Sequence, residues 1–343
     1  MPDPVGETPA VDHTPLHACY DTVLFDLDGT VYRGSEPVPG AVETVRALRG
    51  REVAVRFVTN NASKGPEDVV AHLRAFGIDA EPAEVSTSAQ AAATVLANHL
   101  SSGSAVLIVG APALEAEVEA AGLRPVRKAD DDVAAVVQGH WTETGWGDLA
   151  EACLAIRAGA LWVAANVDAT LPTERGELPG NGSMVAALRA ATGAEPEVAG
   201  KPEAPLFTTA AASAGGRRAL VVGDRLETDI AGAIAAGLDS LAVLTGVATP
   251  ATLLAAPATA RPRYLAADMS GLATPAEQSL IGPKPGWRVL AGDDALMVSA
   301  NGSADRLQLL RALCHTAWET GVTAVRAADE QARSALVDLG LAR

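Results

Sequence analysis

Two acids, Asp26 and Asp28, stand where an apolar run, Thr22-Val23-Leu24-Phe25, gives out. An unbroken run of this kind reads as a strand buried on both faces of a parallel sheet. A carboxylate taken out of water there costs several kcal/mol unless a cation or hydrogen-bond donors meet it. In extended geometry positions 26 and 28 share a face, and Gly29 lets the chain turn away beyond them. Two readings compete: a solvated turn built on Asp28-Gly29, or a magnesium site with a nucleophilic carboxylate.

The rest of the chain bears on that choice. Thr59 and Asn60 follow a second apolar run, Val53 to Val58, and Lys201 follows the weaker Val198-Ala199. Asp224 follows Ala219-Leu220-Val221-Val222, with Asp229 at the head of the next helix. Helical patterns separate these runs: Val42, Val45 and Leu48 share one face after Pro39-Gly40, and Val69, Leu73 and Phe76 do so after Gly65-Pro66. Strands alternating with helices imply a parallel α/β sheet. Its strand C-termini open on one edge, so residues far apart in the chain converge there.

Those residue types suit hydrolysis of a phosphate monoester, which is mostly positioning and charge neutralisation. Asp26 is placed to attack phosphorus, and Asp28 to protonate the leaving alkoxide and then deprotonate water. Mg2+ would take Asp26, the backbone carbonyl of Asp28, and Asp224, with Asp229 in support. Thr59, Asn60 and Lys201 would hold the phosphoryl oxygens.

At 343 residues two or three domains are expected. Between the second and third groups of site residues lies another α/β unit, with strands at Val106 to Val109, Ala134 to Val137 and Leu161 to Ala165. An irregular stretch from Asn166 to Gly176 closes it. Gly180-Asn181-Gly182 has no strand directly before it and no Gly-x-Gly-x-x-Gly, so it reads as the start of a helix with Ser183 as N-cap, not as a nucleotide loop. The last sixty or so residues have a ββαβα order, with a hairpin around Gly292-Asp293-Asp294.

A formal charge of -16 argues against nucleic acid and anionic membrane surfaces as partners. The three cysteines are widely spaced, so neither a disulfide framework nor a zinc site is implied. With no leader-like apolar segment and no membrane-length run, a cytoplasmic protein is expected. The partner is then a small phosphate ester, with self-association an open alternative.

In order, Asp26-Leu27-Asp28-Gly29-Thr30, Thr59-Asn60-Asn61, Gly200-Lys201-Pro202 and Gly223-Asp224-Arg225-Leu226-Glu227-Thr228-Asp229 resemble the four motifs of the haloacid dehalogenase (HAD) superfamily phosphatases. The resemblance implies a Rossmann-like core at 16–82 and 193–282 and magnesium-dependent ester hydrolysis. The insertion at 83–192 looks like the C2-type cap of subclass IIA, which includes p-nitrophenyl phosphate, phosphoglycolate and pyridoxal phosphate phosphatases. A cap of that type chooses the substrate, and Asn166, Asp168 and Arg175 are its candidate contacts. Many relatives carry an acid where this chain has Gly139-His140-Trp141. His140 and Trp141 are therefore further candidates for the pocket wall, although a packed Trp at a strand end is equally ordinary.

The long form is similar to bacterial glycerol-3-phosphate phosphatases, with a GNAT-like domain at 283–343 and a disordered leader at 1–15. No Arg-x-x-Gly-x-Gly or Gln-x-x-Gly-x-Gly occurs in the tail to cradle coenzyme A, which leaves it a structural or interface role. A phosphomutase and a phospho-ligand sensor stand as alternatives. A dehalogenase would have no task for Asp28.

Overall fold

The computed structural model describes residues 13–130, 132–173, 175–302 and 305–342. Residues 1–12 of the expected leader lie outside the described residues. Its last residues are anchored: Ala276 N–H donates to the Thr14 carbonyl at 3.0 Å, and Leu16 N–H to that of Thr274 at 2.9 Å.

Six strands form one parallel sheet in the order Tyr264–Ala266, Asp239–Val243, Ala219–Gly223, Thr22–Asp26, Ala54–Thr59, Val85–Thr87. The chain builds outward from Thr22–Asp26 in one direction and later returns to build in the other. That central strand is therefore the switch point, and the crevice beyond its C-terminus is where open parallel sheets bind ligands. Alternate residues feed opposite layers. Val23, Phe25, Val55 and Phe57 pack with Val45, Leu48, Val69 and Leu73 of the helices Ala41–Arg49 and Pro66–Ala75. Leu24, Val58 and Val221 pack on the other side with Leu96, Leu206 and Phe207.

A second parallel sheet has the order Glu197–Val198, Leu161–Ala164, Val133–Gln138, Ala105–Val109, Arg124–Val126. Two expected boundaries shift. Val85–Thr87, placed by the sequence in the inserted unit, extends the first sheet by pairing with Phe57–Thr59. Glu197–Val198, placed in the core, is an edge strand of the second sheet. Both strands are too short to show a period, so only pairing reveals their allegiance. The irregular stretch is partly a hairpin, Thr170–Thr173 with Gly176–Pro179. The helix that follows spans Asn181–Thr192 with Gly180 as N-cap, and Ser183 sits inside its first turn, donating its hydroxyl to the Ala169 carbonyl at 2.8 Å.

The C-terminal unit has the expected ββαβα order, with Trp287–Ala291 antiparallel to Leu296–Ala300 and the latter parallel to Val325–Ala327. Among the described residues its buried side chains form no cluster separate from that of the main unit. Leu309, Leu310 and Leu313 of the helix Arg306–Thr320 share one buried cluster with Leu226, Ile230, Leu253 and Leu265 of the main unit. Arg311 is buried there and donates Nε and Nη2 to the Leu265 carbonyl, at 2.9 and 2.7 Å. Trp318 Nε1 donates to the Leu253 carbonyl at 2.9 Å.

Truncating Arg311 would strip a buried carbonyl of a charged donor, a loss of about 1–3 kcal/mol. Urea unfolding of Arg311→Ala is expected to show a lower midpoint in one transition covering all units. An unchanged midpoint would mean that the C-terminal unit is not stabilised through this contact.

Candidate active site

Beyond the switch point lies a cavity of about 380 Å3 lined by Asp26, Asp28, Thr59, Asn60, Lys201 and Asp229 from the first motif set and by His140, Asn166 and Asp168 from the second unit. Asp224 sits behind this lining, fully buried. Arg175 and Trp141 are not brought there. Arg175 is exposed in the turn of the Thr170–Pro179 hairpin, and Trp141 lies under the Arg127 guanidinium, 5.5 Å from its ring centre.

The floor is a cluster of buried charge. Lys201 Nζ donates to Asp26 Oδ1 at 2.5 Å and to Asp229 Oδ1 at 2.7 Å, and all three side chains are nearly inaccessible. Asp229 Oδ2 accepts the Arg225 N–H at 3.0 Å, so Asp229 is fixed from both sides. Asp224 Oδ2 accepts the Val247 N–H at 2.7 Å. Two glycines make room for it: a Cβ on Gly29, whose φ is +94°, would lie 2.5 Å from Asp224 Oδ2, and one on Gly246 would lie 1.9 Å from it.

Asp26, Asp224 and Asp229 each offer an oxygen within 4.8 Å of the others. Three buried carboxylates against one ammonium leave an excess of negative charge, and the ligand atoms are all hard oxygens. That donor set fits a divalent cation such as Mg2+. The same crowding shifts protonation. Burial, then the Asp229 carboxylate, outweigh Lys201 and push Asp26 up to about 8. Burial and Asp229 push Asp224 up to about 6. Burial works to lower the Lys201 ammonium, but Asp229 and Asp26 more than offset it and hold it above its ordinary range.

Asp28 is exposed, at the junction of cavity and solvent, where a proton-transferring acid needs to be. Thr59 Oγ1 accepts the Asn61 N–H at 3.1 Å. Asn60, expected to hold phosphate, has its side chain engaged by protein: Lys201 N–H donates to its Oδ1 at 2.8 Å, and its Nδ2 donates to the Lys201 carbonyl and to the Asp168 carboxylate. Burial raises the Asp168 carboxyl and lowers the His140 imidazole.

The cavity also contains residues that the sequence reading passed over. Tyr32 comes from a two-residue strand pairing with Glu36–Pro37, and burial together with Asp28 and Asp26 raises its phenol well above the ordinary value. Lys64 and Arg225 bring two further cations to the lining. The only signal for them was adjacency, Lys64 to the Thr59-Asn60-Asn61 run and Arg225 to Asp224.

This fold and this floor are those of a hydrolase, and the chain belongs to the haloacid dehalogenase-like hydrolases, whose family matches residues 23–124, with a second HAD-hydrolase-like match at 198–272. Residues 284–341 match a GCN5-related N-acetyltransferase like domain. The chain is 51% identical to the D-glycerol 3-phosphate phosphatase of Mycobacterium tuberculosis, over 94% of this chain and 95% of that protein. The crystal structure of the M. tuberculosis glycerol phosphate phosphatase in complex with magnesium superposes with a TM-score of 0.92 at 52% identity, covering 96% of this chain and 99% of that one. The acid sugar phosphatase of Staphylococcus aureus is 39% identical over 67% of this chain and 88% of its own length.

Protonation and metal binding oppose each other at the floor, because a cation takes only the ionised carboxylates. Asp26 rises from 3.8 to about 8, so metal-free native protein holds more protons than unfolded chain between those values. Its contribution to stability therefore falls as pH rises from about 4 to 8. Thermal unfolding in chelator against excess magnesium is expected to show a gain from magnesium that is larger at pH 8 than at pH 6. An equal gain at both would mean that the carboxylates are already ionised. Gly246→Ala should push the Asp224 carboxylate aside and weaken magnesium binding at least tenfold by calorimetry, with the fold retained.

Proposed function

We propose that this chain is a magnesium-dependent phosphomonoesterase that releases phosphate from glycerol 3-phosphate through an aspartyl-phosphate. The observation that carries the reading is the floor: a buried Asp26 ion-paired to Lys201, with Asp224 and Asp229 beside it, at the switch point of a parallel sheet. Similarity to the M. tuberculosis phosphatase over nearly the whole chain supports the choice of substrate.

In the first step an Asp26 carboxylate oxygen forms a bond to phosphorus while the bond to the substrate alkoxide breaks. Asp28 gives its proton to that alkoxide, and the alcohol leaves. In the second step Asp28 takes a proton from water as its oxygen attacks the phosphoryl group, which frees inorganic phosphate and restores the Asp26 carboxylate. Lys201 and the Thr59 loop hold phosphoryl oxygens during both steps. Mg2+, held by Asp26, the Asp28 carbonyl and Asp224, would supply positive charge to the same oxygens. Asp229 holds Lys201 in place.

The second unit supplies the wall that faces the alcohol part of the substrate, with His140, Asn166 and Asp168. Arg175 is not among the described residues that line this wall. Asp168→Asn is expected to change KM for glycerol 3-phosphate more than for p-nitrophenyl phosphate.

Phosphate release should be measured with magnesium on both glycerol 3-phosphate enantiomers, phosphoglycolate, pyridoxal phosphate and p-nitrophenyl phosphate, with Asp26→Asn as control. The expected result is a kcat/KM highest for one glycerol 3-phosphate enantiomer, reduced about 10⁴-fold or more in the control. Preference for another ester would overturn the substrate while leaving the chemistry. An isomerised ester without free phosphate would reveal a mutase, and binding without turnover a sensor.

A further inference from the structure

Asn60 lies beside the phosphoryl site, yet its amide group is spent on protein partners. A primary carboxamide has two N–H hydrogens and one acceptor oxygen. Its Nδ2 donates to the Lys201 carbonyl at 3.1 Å and to the two Asp168 carboxylate oxygens at 3.1 and 3.3 Å. Its Oδ1 accepts the Lys201 N–H at 2.8 Å. The side chain thus pairs with both backbone groups of Lys201, as a neighbouring strand would, and uses its remaining hydrogen on the second unit. The carboxamide has no donor left for a phosphate oxygen.

The Asn60 carbonyl is engaged by protein partners as well. Its carbonyl accepts Asn166 Nδ2 at 2.7 Å and Ser88 Oγ at 2.6 Å. Asn166 Oδ1 accepts the Asp168 N–H at 3.2 Å, and its carbonyl accepts the buried Asn181 Nδ2 at 2.7 Å. Asn60 is thereby the node at which the strand end Ala54–Thr59, the Lys201 loop and the Asn166–Asp168 loop meet.

We propose that Asn60 is a positioning residue: it sets the backbone from which the Lys201 ammonium reaches Asp26 and Asp229, and through Asp168 it ties that position to the loop of the second unit. Lys201 follows a two-residue edge strand at a distance of three residues, and that strand by itself restrains it little. The reciprocal pair with Asn60 provides the missing restraint. A ligand that draws the Asn166–Asp168 loop inward is then felt at the lysine without touching it. This rests on reading Lys201 as part of the phosphoryl site.

The test uses Asn60→Ala, Asp168→Ala and the double variant of the full chain, each checked by thermal unfolding. The first readout needs no turnover: acylation of lysines by acetic anhydride, followed by mass spectrometry. Lys201 is 3% exposed and should be protected in the parent protein. Protection should hold in Asp168→Ala and fall at least tenfold in Asn60→Ala. Protection unchanged in Asn60→Ala would overturn the proposal.

The second readout is kinetic. Misplacing Lys201 should lower kcat about 10²-fold in Asn60→Ala, whereas Asp168→Ala should raise KM for glycerol 3-phosphate with kcat nearly kept. Asp168 also faces the substrate, so its effect on KM should persist in the double variant, while kcat there should be no lower than in Asn60→Ala. A further fall in kcat would mean that Asp168 reaches the reacting groups by a route other than Asn60, and would overturn the link. Should Asn60→Ala not fold, Asn60→Asp sets a carboxylate against Asp168, and adding Asp168→Asn should regain at least fivefold in kcat. No recovery would again overturn the link. Failure of the parent protein to release phosphate would instead count against the proposed function, with the labelling still deciding the role of Asn60.

Discussion

Three carboxylates gathered around one ammonium, largely withdrawn from water, set the terms for the whole molecule. Such a group is costly to assemble and would relax if its backbone were free to move. Each member is accordingly held by a separate device. Asp26 is the last residue of a strand paired on both sides, Asp224 is bound by the Val247 N–H, and Asp229 by the Arg225 N–H. The parallel sheet supplies rigid points of attachment at one edge, and its two helical layers keep those points from shifting. Charge density at the floor and order in the scaffold are two aspects of one requirement.

The parts of this arrangement that could be read in advance are those where physics makes a residue conspicuous. Acids and a lysine at the ends of apolar runs are expensive, so Asp26, Lys201 and Asp224 declare themselves, and the alternation of strands with helices brings them to one edge. Elements of two or three residues are silent, because no period can develop in Val85–Thr87, Glu197–Val198 or Tyr32–Arg33. Lys201 was expected at the end of a core strand; the strand that leads to it, Glu197–Val198, belongs instead to the second sheet. The polarity of Asn60 was visible but its partners were not, because only the folded chain brings the Lys201 backbone within 3.1 Å. Arg175 failed as a pocket residue for the converse reason: a charged residue near a site can equally mark the outside of a hairpin.

The C-terminal unit illustrates how an appended segment can lose its independence. Its helix Arg306–Thr320 buries leucines in the cluster that contains Leu226 and Ile230, the residues on either side of the turn bearing Asp229. Its two-sided sheet faces are unequal: Leu296 and Val298 are inside, while Leu290 and Met297 face out. Cys314 is wholly enclosed, and burial pushes its thiol up to about 12, which keeps it unreactive. The unit covers the edge of the main sheet and packs behind the turn that carries an acid of the site.

The edge strand Glu197–Val198 has a consequence for how this protein can be recombined. Inserted units are commonly exchanged between relatives as modules, on the assumption that each carries its own sheet. Here a graft cut near residue 193 would leave behind a strand of the donor's sheet, and one cut near 82 would carry away a strand of the recipient's. Junctions that respect pairing fall after Thr87 and after Val198, only three residues before Lys201. A chimaera made there inherits its lysine from the core and the restraint on that lysine from both parents. Compatibility at positions 60 and 168 then becomes the condition for a working hybrid.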